Sequence, residues 1–142
     1  MHRNIASLVL LALLVTACGN ENPFSDREPG SVDVIEIERI AGDGLQSLTT
    51  ASSIAEQEDF PESLRGPRDV EADVLIVWCD PADFTLSDSF SNGSELFLTL
   101  QPEAGEAKCV LWAVPRIQLA GVQSVIVQNP DQQTLEVSSI FP

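Results

Sequence analysis

Six consecutive apolar residues, Val74-Leu75-Ile76-Val77-Trp78-Cys79, leave this chain few ways to fold. Successive side chains of a strand point to opposite faces. A run with no polar position and rich in β-branched residues therefore marks a strand buried on both sides. A second such run, Ala107 to Val114, is broken only by Lys108. Leu96, Leu98 and Leu100 alternate with Phe97 and Thr99, Ile117 to Val127 holds one or two more strands around Gly121, and Thr134 to Phe141 holds the last. Turn residues separate the runs at Asp80-Pro81, Asn92-Gly93, Gln101-Pro102 and Asn129-Pro130. This pattern predicts an all-β domain, a small β-sandwich or barrel. No internal repeat or heptad competes with it.

The chain before Val74 is less regular. Val32 and Val34 share one strand face and Ile35 and Ile37 the other, a change of phase that suggests a bulge within Val32–Ile40. Gly42-Asp43-Gly44 reads as a turn. Sparse apolar positions at Leu45, Leu48 and Ile54 allow a short helix near residues 45–58, although Thr49, Thr50, Ser52 and Ser53 are poor helix formers. Pro61, Gly66 and Pro67 mark an irregular stretch.

The N-terminus carries an address. One basic residue, Arg3, precedes an apolar run from Ile5 to Val15 that is too short to span a bilayer and has the proportions of a secretory signal. The run ends in Leu14-Val15-Thr16-Ala17-Cys18, with an aliphatic residue at minus 3, small residues before the cysteine, then Cys18. This stretch resembles the lipobox of bacterial lipoproteins. The resemblance covers only the first twenty or so residues. It implies that residues 1–17 are removed and that Cys18 is acylated, as by palmitate, and becomes the first residue. Two or more acyl chains anchor stably where one binds marginally. Gly19, in place of Asp, resembles the pattern passed to the outer membrane, on its periplasmic or surface side, in a Gram-negative host. Residues 18–31, with Pro23, Pro29 and Gly30 and only Phe24 as a large apolar side chain, read as a tether, and 32–142 as a single β-rich domain.

An exported chain folds in an oxidising compartment, so Cys79 and Cys109 are expected to form a disulfide. It closes a loop of about 31 residues, for which chain entropy gives about 3.5–4 kcal/mol. Zinc is excluded, since two thiolates without His would need two carboxylates. The bond would place Leu75, Val77 and Cys79 on one face with Ala107, Cys109 and Leu111, and Trp78 and Trp112 on the reverse face with Ile76 and Val110. That reverse face is either packed under other segments or open as a partner platform.

The chemistry that remains is narrow. The sequence has 22 acids against 7 bases, a formal charge of -15, and no Tyr; its single His is His2. Loss of Arg3 and His2 with the signal leaves 22 acids against 6 bases, or -16, and no His. Such a charge repels phosphate backbones, so no nucleic-acid partner is expected. A Ser-His-Asp or Cys-His set cannot be assembled, and no glycine-rich phosphate loop is present. The densest oxygen-rich stretch, Asp80, Asp83, Asp88, Asn92 and Glu95, is a weak Ca²⁺ candidate or a solvated hairpin loop. Read as an EF-hand from Asp88, it carries Phe90 and Thr99 where ligands belong. Asn92-Gly93-Ser94 reads as a turn rather than a glycosylation site.

The expectation is a lipid-anchored protein of a bacterial cell envelope, neither an enzyme nor a cofactor carrier, serving as a binding, assembly or structural module. Its partners would be the membrane, through the anchor, and a protein of cationic character. A divalent-cation or small-ligand binder using residues 80–95 is the alternative, and a carboxylate-dependent hydrolase the third reading.

Overall fold

The computed structural model describes residues 30–65 and 71–140. The expected signal segment 1–17, the expected lipidation site Cys18 and the expected tether up to Pro29 lie outside these residues. Among the described residues nine strands form two sheets: β1 (Gly30–Ser31), β5 (Phe84–Ser91), β6 (Glu95–Pro102), β8 (Ser124–Gln128) and β9 (Thr134–Ser139) in one, and β2 (Ile35–Ala41), β7 (Lys108–Pro115), β4 (Asp73–Asp80) and β3 (Ser47–Ala51) in the other, in those spatial orders. The two sheets stack as a sandwich rather than closing into a barrel. All neighbours are antiparallel except β6 and β8, which are parallel.

β4 and β7 occupy the middle of the four-stranded sheet and are each buried at six successive positions. Two separate cores explain why. Val74, Ile76, Trp78, Val110, Trp112 and Val114 face the five-stranded sheet and meet Leu96, Leu98, Leu100, Val125 and Val127 there. On the outer face, Leu75, Val77, Leu111 and Ala113 lie under Phe60 and Leu64. These come from a segment of two 3-10 helices, Ala55–Asp59 and Glu62–Leu64. Arg65 fastens that segment by donating to the carbonyls of Phe60 and Glu58. The faces expected from a Cys79–Cys109 bond are those observed.

Several local expectations change. The short helix near 45–58 is instead strand β3 followed by the five-residue 3-10 helix. Ser47-Leu-Thr-Thr-Ala51 has an open edge of β4 to pair with, and Thr suits that pleated, half-buried position better than a helix. The phase change at Val34/Ile35 is where the chain leaves one sheet for the other. Val32 and Val34 pack in the inner core, whereas Ile37 and Ile40 pack in the outer one. A bulge does occur, but between Glu36 and Glu38. Gly30 and Ser31, expected at the end of the tether, instead pair with Ser91 and Phe90 as β1. Around Gly121 there is one strand, β8; Arg116–Leu119 is a 3-10 helix that buries Leu119.

The two open edges of the sandwich are closed differently. At one, Arg39 of β2 donates to Asp83 Oδ1 (2.8 Å) and the Phe84 carbonyl (2.9 Å), pairs with Glu36, and lies over the Phe84 ring. At the other, Thr50 of β3 donates to the Ser139 carbonyl of β9 at 3.0 Å.

Candidate functional site

Trp78 and Trp112 are 0% and 1% exposed, so the tryptophan face is core and not an open platform. The physical reason is the second sheet. The Trp112 ring meets Phe84 edge to face, and Trp78 Nε1 donates to Asp80 Oδ2, leaving neither indole available to a partner.

The oxygen-rich stretch 80–95 is not a single loop. Phe84–Ser91 forms β5, about 25 Å of extended chain, which sets Asp80 and Asp83 at one end and Asn92 and Glu95 at the other. Each of these four is also engaged locally. Asp80 accepts from Ala82 N–H, and Asp83 binds Arg39 and the Phe84 N–H. Asn92 Oδ1 accepts the Ser94 and Glu95 N–H groups within the tight turn, and the Asn92 amide donates to Glu95. Gly93, at φ 98°, supplies the left-handed backbone this turn needs. Among the described residues no group of three or more His, Cys, Asp or Glu is placed to hold a metal. The residues expected as a weak Ca²⁺ site are thus not brought together, and Asn92-Gly93 forms a turn.

Cys79 and Cys109 are bonded, with Cα atoms 4.1 Å apart at directly opposed positions of β4 and β7. The bond is among the residues lining a groove of about 620 Å³ on the outer face of the four-stranded sheet. Ile40, Val77 and Phe60 line it as well, as do Asp43, Glu58 and Asp59. The nearby Glu56 carboxyl is held below its ordinary range, first by the Ser52 N–H (2.6 Å) and then by the Ser52 hydroxyl (2.9 Å), with Arg116 adding to the effect. This carboxylate ties the 3-10 segment to the end of β3; it is not a poised acid or base.

The opposite side of the molecule carries a feature that no single stretch of sequence announces. Phe90 of β5 stands opposite Phe97 of β6, Phe97 opposite Ile126 of β8, and Ile126 opposite Val137 of β9. These four form one row across the outer face of the five-stranded sheet. Its two ends are open, Phe90 at 38% and Val137 at 57% exposed, while Ile126 between them is 8% exposed. Three inter-strand spacings make the row about 14 Å long. No protein-family model, curated protein or solved structure matches this chain.

Proposed function

We propose that this chain is a lipid-anchored protein of a bacterial cell envelope and a non-catalytic binding module that presents the outer face of its five-stranded sheet to a partner. The observation that carries the binding reading is the in-register apolar row Phe90–Phe97–Ile126–Val137, whose ends Phe90 and Val137 stand open among polar neighbours, because large apolar side chains left open on one sheet face mark interaction surfaces. The Leu14–Cys18 stretch supports the anchor, and a Gly at position 19 supports the outer membrane if the host is Gram-negative. Anchored this way, the domain works beside a bilayer.

The test uses the full chain in an envelope-bearing host. A palmitate analogue should label the wild type and not Cys18→Ser, and a photoreactive residue at position 137 should cross-link a discrete envelope component that the same residue at position 38 does not. An unlabelled wild type in the soluble fraction overturns the anchor. Equal cross-linking from both positions overturns the face. A second reading, a small apolar ligand, is favoured by the groove over the disulfide. It predicts that such a ligand raises the melting temperature and that Val77→Asp abolishes the effect.

A further inference from the structure

We infer that the open face of the five-stranded sheet accepts a cationic amphipathic helix of another protein, one of whose Lys or Arg side chains enters a recess beside Asp88. The inference rests on the reading of this face as a binding surface and adds the chemistry of the partner.

Charge selects the occupant. None of the five strands of this sheet contains a Lys or Arg, and the row is flanked by Asp88, Thr99 and Gln128 on one side and by Glu95, Ser124 and Ser139 on the other. Both fixed charges beside the row are negative. A second copy of this chain would bring the same acids and no compensating cation on this sheet. Anionic lipid and nucleic acid would be repelled. An apolar ridge about 14 Å long, with acids on both sides, matches three apolar residues on successive turns of a helix with basic residues along both flanks.

The recess sharpens the match. Asp88, Phe90, Phe97, Gln128 and Gln132 enclose about 240 Å³ at one end of the row. Its walls combine two aromatic side chains with a carboxylate. No described residue hydrogen-bonds or ion-pairs with the Asp88 carboxylate, in contrast to Asp80 and Asp83. Gln128 donates its amide to Thr99 Oγ1 at 3.0 Å, which leaves its oxygen as an acceptor. Gln132 holds the uncommon φ of 64° in the β8–β9 turn that brings it there. A Lys or Arg side chain suits this enclosure: its methylenes lie on the phenyl rings and its cationic head reaches Asp88 and the Gln128 oxygen.

The test titrates the purified full-length protein, at about 0.15 M salt to screen general attraction, with a Leu/Lys amphipathic helical peptide and its Leu/Glu counterpart. The Leu/Lys peptide should bind and the Leu/Glu peptide should not. Asp88→Asn should weaken binding about tenfold, the effect of losing a charge-assisted hydrogen bond. Glu38→Gln removes the same charge from the other sheet and should change it less than about twofold. Phe90→Ala should also cost about tenfold. If Asp88→Asn does no more than Glu38→Gln while Phe90→Ala abolishes binding, the face binds but the cationic recess is wrong. If Phe90→Ala has no effect, the face reading itself fails, and the inference with it. Equal binding of the Leu/Glu peptide, or self-association in sedimentation that Phe90→Ala removes, overturns the cationic partner.

Discussion

β4 and β6 run in opposite layers of the sandwich and differ in what lies behind them. β4 is buried at six successive positions because the 55–65 segment covers the back of its sheet; β6 alternates buried and half-buried positions because no described segment covers the back of the five-stranded sheet. The same backbone geometry thus produces a continuous apolar run in one layer and a period-two pattern in the other. The lesson is that the proposed binding face belongs to the strands whose outward positions are only partly apolar. A fully apolar strand is, in this protein, a strand with two cores.

This contrast can be broken by mutation. The largest effect is expected at the inner core: Trp112→Ala should lose about 3–5 kcal/mol in urea unfolding, and a loss below about 1 kcal/mol would mean the ring is not enclosed between the sheets. Next, Cys79→Ala with Cys109→Ala should lose about 3.5 kcal/mol, the loop-closure entropy for residues 30 apart in sequence. Leu64→Ala tests the cover on the outer face and should lose about 2–4 kcal/mol; near-neutrality would show that β4 has only one real core.

A smaller, pH-dependent effect comes from Glu56 in that same cover. Its folded pKa lies below the ordinary 4.5, so the unfolded chain binds the proton more readily and this contribution to stability is present above pH 4.5. It is lost as pH falls through the lower folded value. Melting curves between about pH 5 and 3 should therefore be flatter for Glu56→Gln than for the wild type. The smallest change is expected on the open row, where Val137→Ser should alter stability by no more than about 0.5 kcal/mol. A much larger loss there would indicate that something covers the face.

How far the fold was legible follows from the same contrast. β4, β6, β7 and β9 were readable because burial writes itself into period and continuity. β5 was hidden because five of its eight positions, Thr85, Ser87, Asp88, Ser89 and Ser91, are polar, and the acids around it suggested a loop. Its inward Phe84 and Leu86 were the available signal. β3 was hidden because Ser and Thr mark turns, caps and edge strands alike. The disulfide could be inferred from compartment and count. The apolar row could not, because it depends on register: Phe97 and Ile126 look like core residues, and Phe90 sits amid polar neighbours. Only pairing across four strands makes them one surface.

The parallel contact of β6 with β8 has a kinetic consequence. Between those strands the chain passes through β7 in the other sheet and the 3-10 helix Arg116–Leu119, so their pairing must close that whole excursion. β1 with β5 and β2 with β7 likewise join residues some sixty or more positions apart. Among the described strands only β5–β6 and β8–β9 are tight hairpins that can form early. A topology so dominated by distant partners places folding in the millisecond-to-second range and keeps the chain extended, with its strand edges exposed, for longer than a helical domain of equal size.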